Sequence, residues 1–144
     1  MKKIFRIAPQ IVQFGSCKEF IKDFEIGQED VILTNPTYFE AYFNLEDLKG
    51  AHILYANKYG KGEPSDIMVE QIAKELEGVS YKRLIAIGGG SIIDISKLLV
   101  QNQILPLTDL FDKKIPTCKE KELVIVPTTC GTGSEVTSVS VIEL

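Results

Sequence analysis

The sequence predicts a single α/β domain in which a parallel sheet is covered by helices on both faces. Short apolar runs alternate with amphipathic helical segments along the 144 residues, which is typical of parallel strands joined by crossover helices. The apolar runs are continuous rather than alternating, which indicates strands buried on both faces. No repeat, linker or low-complexity tract divides the chain. We therefore expect one domain over residues 1–144.

The apolar runs place four strands. They cover residues 31–34, 51–56, 83–87 and 123–126, and β-branched residues are frequent in them, as expected of strands. Residues 139–144 resemble the start of a fifth strand.

An N-terminal hairpin or bent strand precedes these elements. Residues 4–7 and 11–14 are the two apolar arms, and Ala8-Pro9-Gln10 lies between them. Proline at such a position favours a turn between the arms.

Helices are predicted where apolar residues recur at a spacing of three or four. Ser16 would cap the first helix, and Gly78 would end the third. Residues 105–121 hold two prolines and mixed charges, which predict a loop with a short helical piece. The predicted helices span residues 17–25, 37–48, 64–77 and 91–101.

The overall composition excludes several classes of protein. Sixteen basic and twenty acidic residues give a net charge of -4, which argues against a nucleic-acid partner. No apolar run has the roughly 18–20 residues of a membrane span, and the N-terminus lacks the apolar core of a signal peptide. The three cysteines form no C-x-x-C pair, so we expect reduced thiols in the cytoplasm.

A glycine turn joins the strand 83–87 to the next helix. Gly88, Gly89 and Gly90 let backbone N–H groups approach a ligand, and the positive helix end favours a phosphate. Ser91 and Asp94 fit an S-x-x-D capping pattern. Ser91 therefore either only caps the helix or also contacts the ligand, and Asp94 either serves the helix dipole or faces the reactive end of the site. The turn is neither a G-x-G-x-x-G fingerprint nor a Walker A loop.

A second turn, rich in hydroxyl groups, follows the strand 123–126. Residues 127–137 contain five Thr or Ser residues and two glycines, which can donate to phosphate or ribose oxygens. Alone, this segment could equally be a solvated turn. Because the carboxyl ends of parallel strands share one edge, we expect it to meet the glycine turn and Asn35 in one site.

The two turns together resemble those of the iron-containing (group III) alcohol dehydrogenase family. The family pattern G-G-G-S-x-x-D-x-x-K matches residues 88–97, and P-T-T-x-G-T-G-S-E-V-T matches residues 127–137. Residues 31–35 resemble the family's first cofactor-binding strand. Within the family, the likeness is to the 4-hydroxybutyrate dehydrogenase branch. The resemblance implies a Rossmann-like cofactor domain that spans the chain.

The resemblance also implies an NAD or NADP cofactor and the residues that hold it. Gly89, Gly90 and Ser91 would contact the diphosphate, and Asp94 would lie near the nicotinamide and substrate. Asn35 stands where many members carry Asp, so the choice between NAD and NADP stays open. The remaining implied contacts, to phosphates and riboses, are Thr128, Thr129, Thr132, Thr137 and Val139.

The family's metal site has no counterpart here. Members hold Fe²⁺, sometimes Zn²⁺, with one Asp and three His in a helical C-terminal domain, whereas this chain has one histidine, His52. We therefore expect that the C-terminal helical domain is missing and that the metal belongs only to the full-length enzyme. No catalytic residue or metal ligand is assigned in this chain, which would be an inactive fragment by itself. The full-length enzyme would act on an alcohol or aldehyde as a homo-oligomer, without a membrane or nucleic acid.

Three alternatives remain at this point. One is the cofactor domain of a glycerol dehydrogenase or dehydroquinate synthase. Another is a non-catalytic nucleotide-binding module, which the single histidine would fit. The third is a flavodoxin-like interaction domain in which both turns are structural.

Overall fold

Four parallel strands form the sheet of the computed structural model, which describes residues 9–143. The strands are β1 (Asp30–Thr34), β2 (His52–Tyr55), β3 (Arg83–Gly88) and β4 (Glu122–Pro127). Their order in the sheet is β2-β1-β3-β4. All three pairings are parallel, so the predicted fold class is confirmed.

The strand order reverses between β1 and β3. The chain passes from β1 outward to β2, returns to β3 on the other side of β1, and continues to β4. In the register of the sheet, Ile32 of β1 pairs with Ile53 and with Ile85. In open parallel sheets, the crevice at such a reversal is where ligands bind, at the carboxyl ends of the strands.

Helices cover both faces of the sheet. Val31 and Leu33 of β1 face one core, where α3 and α4 pack, and Ile32 faces the other, where α1 and α2 pack. All three side chains are fully buried. The helices are α1 (Cys17–Asp23), α2 (Pro36–Tyr42), α3 (Asp66–Glu75), α4 (Gly90–Leu99) and α5 (Leu107–Phe111).

The helix predicted over residues 37–48 is wrong in its second half. Helix α2 ends at Tyr42, and a separate 3-10 turn covers Leu45–Leu48. Phe43 is extended, with φ −120°, and its ring stacks on that of Phe39 with centroids 5.2 Å apart. Asn44 then accepts a hydrogen bond from the N–H of Glu46 at 3.2 Å. Packing of Phe43 and the asparagine cap together interrupt the helix.

The fifth strand predicted from residue 139 is also wrong. Residues 139–143 make a single parallel bridge, between Ser65 and Glu143, because residues 139–141 are hydrogen-bonded to Asp94 and Lys97 of α4 rather than to the sheet. Residue 144 lies outside the described residues.

The predicted N-terminal hairpin is only partly covered. Residues 4–7 lie outside the described part, and residues 11–14 form no strand. The ring of Phe14 packs edge-on against Phe20 with centroids 5.7 Å apart. None of the helices within residues 9–143 is long and apolar enough to cross a membrane.

Candidate functional site

The glycine turn and the threonine-rich turn lie against each other at the carboxyl edge of the sheet. The N–H of Thr128 donates to the carbonyl of Gly88 at 3.0 Å. A β-carbon on Gly89 would lie 3.0 Å from Thr129 Oγ1, and one on Gly90 would lie 3.2 Å from Thr132 Cγ2. The absence of a side chain at Gly89 and Gly90 therefore lets the threonine side chains lie close to the backbone of the glycine turn without displacement. The structure brings together the two turns that sequence spacing alone could only place on one edge.

Helix α4 begins at this junction without a side-chain cap. Its N-cap is Gly89, in an extended conformation, and no side chain accepts from its first turn. The predicted capping role of Ser91 is therefore wrong, because the helix begins one residue earlier and Ser91 lies within its first turn. The first N–H groups of a helix have no intrahelical partner. Together with the helix dipole, they suit an anion.

Two buried oxygen atoms at the same edge have no hydrogen-bond partner within residues 9–143. They are Asn35 Oδ1, at the end of β1, and Thr128 Oγ1, at the end of β4. Burial of an unpaired polar atom costs about 1–3 kcal/mol by protein mutational data. A ligand with hydroxyl or amide groups would supply the missing partners. A third such atom, His52 Nε2, belongs to the amino end of β2.

An open cleft of about 320 Å³ lies beside β1 and β3. Asn35, at the end of β1, and Ser91, in the first turn of α4, line it. Tyr38 of α2 and Lys61, between β2 and α3, line it as well. The threonine-rich turn lies outside this cleft. The carboxyl edge thus has a cleft on the β1 side, the open helix end in the middle, and the hydroxyl groups on the β4 side.

Asp94 and Lys97 form a buried ion pair one turn into α4. Lys97 Nζ lies 3.0 Å from Asp94 Oδ1, and each side chain is 10% exposed. Lys97 also donates to Thr137 Oγ1 at 3.2 Å and to the carbonyl of Val139 at 2.5 Å. The pair therefore places Thr137 and Val139 beside α4.

Lys97 is the residue of this region to which sequence analysis gave no role. The sequence does contain a sign of it, since Lys97 lies three residues after Asp94 in a helix that has no other charged residue. A lysine in such a setting needs a buried partner. The carboxylate one helical turn away is the nearest candidate.

Cys130 lies exposed in the threonine-rich turn with a free thiol. Among residues 9–143, no three His, Cys, Asp or Glu side chains come together as a metal site.

The fold and this edge define a doubly wound α/β domain with an anion-receptive glycine turn beside its switch point. The sequence model of the iron-containing alcohol dehydrogenase family matches residues 9–144. The chain therefore belongs to the iron-containing alcohol dehydrogenase family.

A curated relative is similar in sequence, and solved structures are similar in fold. The chain is 48% identical over 143 residues to 4-hydroxybutyrate dehydrogenase of Clostridium kluyveri, and the match covers 99% of the chain but 38% of that protein. It is similar in fold to sulfoacetaldehyde reductase of Bifidobacterium kashiwanohense in complex with NAD⁺, with TM-score 0.70 and 21% identity over 98% of this chain and 40% of the other. An iron-containing alcohol dehydrogenase of Thermotoga maritima gives TM-score 0.67 and 23% identity over 88% and 36%. The chain thus spans about two fifths of these proteins.

Proposed function

We propose that the carboxyl edge of the sheet binds NAD(H) or NADP(H), and that this chain is the cofactor-binding part of an NAD(P)-dependent alcohol dehydrogenase. The observation that carries the proposal is the contact between two glycines at the uncapped start of α4 and two threonines that follow β4. A diphosphate placed there would receive N–H groups from the helix and hydroxyl groups from the turn.

The residues present fit such a cofactor. Gly89 and Gly90 leave the space that a β-carbon would fill. Asn35 Oδ1 and Thr128 Oγ1 are buried and make no hydrogen bond within residues 9–143. With the diphosphate over the middle of the edge, one nucleoside would lie in the cleft on the β1 side and the other beyond the threonine-rich turn. The ten residues assigned to the cofactor are Asn35, Gly89, Gly90, Ser91, Asp94, Thr128, Thr129, Thr132, Thr137 and Val139.

When bound, the nicotinamide supplies the carbon that accepts or donates a hydride. The contribution of this chain is to bind and orient the dinucleotide. Its residues do not fit the metal that the family's name implies, because the chain has a single histidine and the described part holds no cluster of metal-binding side chains. We therefore assign no chemical step to a metal in this chain.

The proposed substrate of the complete protein is a short-chain hydroxy acid. The 48% identity to 4-hydroxybutyrate dehydrogenase supports it. The assay compares the oxidation of 4-hydroxybutyrate with that of butan-1-ol, which has the same carbon chain without the carboxylate. A complete protein that prefers butan-1-ol would contradict this assignment.

Cofactor binding is tested by calorimetric titration of the chain with NADH, NADPH and ADP-ribose. We expect binding of ADP-ribose, because it contains the diphosphate. Gly89→Ala should weaken it at least about tenfold, equal to ~1.4 kcal/mol, since the new β-carbon would press on Thr129.

Gly27→Ala is the matched control. Its β-carbon would meet nothing closer than 3.8 Å, and Gly27 is in the turn before β1, at the amino edge of the sheet. Equal weakening by both alanine substitutions, or no binding of any of the three nucleotides, would refute the proposal. The second result would favour an interaction domain with structural turns.

A further inference from the structure

The Lys97 ammonium group is fully occupied by partners inside the protein. An ammonium has three N–H donors, and Lys97 has three acceptors: Asp94 Oδ1 at 3.0 Å, Thr137 Oγ1 at 3.2 Å and the carbonyl of Val139 at 2.5 Å. The residue is 9% exposed. Lys97 therefore has no donor left for a ligand, and any influence that it has on a ligand acts through these three partners.

Asp94 also makes hydrogen bonds to residues that follow Val139. Its Oδ1 accepts from Lys97, and its Oδ2 accepts from the N–H of Val141 at 3.2 Å. The hydroxyl of Ser140 donates to the Asp94 carbonyl at 2.8 Å. One turn of α4 thus makes four hydrogen bonds to residues 137–141. Three of the four involve the Asp94 carboxylate or the Lys97 ammonium group.

Residues 137–141, here called the strap, have little else to fix them. They belong to no helix or strand, and the side chains of Val139 and Val141 are 62% and 67% exposed. An extended segment with so little apolar burial depends on its polar contacts for a defined position.

We propose that Asp94 and Lys97 are positioning residues that hold the strap against α4, so that the strap forms the wall of the cofactor site on the β4 side. The inference rests on the proposed dinucleotide site. The cleft on the β1 side has room for the adenosine half, and the diphosphate lies over the start of α4. The strap then borders the nicotinamide half. Removal of the Asp94–Lys97 ion pair should therefore weaken the binding of NADH, which contains the nicotinamide half. The binding of ADP-ribose, which lacks the nicotinamide, should be unchanged.

The test is the ratio of the ADP-ribose and NADH dissociation constants, measured by calorimetry on the chain and on Lys97→Met. Methionine keeps the unbranched stem of lysine and removes the ammonium. We expect NADH binding to weaken at least about fivefold, while the ADP-ribose constant changes less than about twofold. Hydrogen exchange should rise in residues 137–141, notably at the Val141 amide, and stay unchanged at Leu84–Ile87 in the core of β3.

Lys74→Met is the matched control, because Lys74 is an exposed lysine on α3 with only a 3.9 Å contact to Glu70. It should change neither constant. Ser140→Ala supplies a milder variant that leaves the ion pair in place and removes one hydrogen bond to the strap, from a residue that is not assigned to the cofactor. It should shift the ratio in the same direction by about twofold to threefold, and this expectation decides the matter if Lys97→Met does not fold.

An equal weakening of ADP-ribose and NADH would overturn the inference, because it would indicate a general structural loss. So would an unchanged ratio, or an unchanged exchange rate of the strap. If the unsubstituted chain binds neither ligand, the proposed cofactor site fails and this inference fails with it. Binding of both ligands with an unchanged ratio refutes the strap alone.

Discussion

The three consecutive glycines of the turn have different physical roles. A β-carbon on Gly88 would lie 2.6 Å from Ile92 Cγ1 and 2.8 Å from Ile92 Cβ, whereas those on Gly89 and Gly90 would approach Thr129 and Thr132. Gly88 therefore allows the first turn of α4 to pack on the end of β3. Gly89 and Gly90 instead keep the space between the two turns open. The first role belongs to folding and the other two to the site.

This difference predicts that Gly88→Ala lowers stability more than ligand affinity per folded molecule. Overpacking of a well-packed core costs about 1–3 kcal/mol, and Ile92 is 3% exposed with little room to move. The measurement is urea denaturation followed by circular dichroism. Gly27→Ala serves as the control and should stay within about 0.5 kcal/mol of the unsubstituted chain. A Gly88→Ala protein as stable as this control would show that α4 can shift away from β3 without loss.

At the scale of the element, the strands were predictable because each is a continuous apolar run. The run in β1 is fully buried, and burial on both faces is what such a run indicates. Helix α2 was not predictable in full, because the side chain of Phe43 packs on Phe39 from an extended backbone. Local periodicity contains no information about that contact. Tertiary packing decides the end of this helix.

Helix starts show a second limit of local patterns. Ser16 and Ser91 each precede a carboxylate by three residues, and only Ser16 is a cap, accepting from the N–H of Glu19 at 3.2 Å. Ser91 lies inside α4, because that helix begins at Gly90 with Gly89 as its N-cap. The pattern is the same at the two positions, and the local sequence pattern does not distinguish them.

The two serines therefore predict opposite results for the same substitution. Ser16→Ala should lower stability by about 1 kcal/mol, the usual value of an N-cap, and leave ADP-ribose binding unchanged. Ser91→Ala should change stability by less than about 0.5 kcal/mol and weaken ADP-ribose binding, because Ser91 lines the cleft beside the open helix end. Thermal unfolding and calorimetry of both variants measure the two effects. The reverse outcome would show that Ser91 stabilises the helix start after all.

At the scale of the whole molecule, the position of the candidate site was predictable and the position of the strap was not. Parallel strands bring their carboxyl ends to one edge, so the sequence alone predicts that Asn35 and the two turns lie there. The strap was instead expected to start a strand. Its position depends on Lys97, 40 residues from Thr137 in sequence, and no local pattern reports such a contact.

The chain contains the proposed cofactor-binding residues but only one histidine that could bind a metal. We therefore predict that residues 1–144 bind a dinucleotide and do not turn over an alcohol. The edge proposed to bind the cofactor lies within this chain, but the chain has one histidine, and residues 9–143 hold no group of three metal-binding side chains. A metal that polarises an alcohol oxygen needs about three protein ligands.

We expect no formation of NADH above the metal-free blank when the chain is mixed with Fe²⁺, NAD⁺ and 4-hydroxybutyrate, while ADP-ribose still binds in the same preparation. The 4-hydroxybutyrate dehydrogenase of Clostridium kluyveri is the positive control for the assay. Turnover that depends on added Fe²⁺ would show that carboxylates or thiols of this chain form a metal site after all, and Cys130, exposed in the threonine-rich turn, would be the first ligand to substitute.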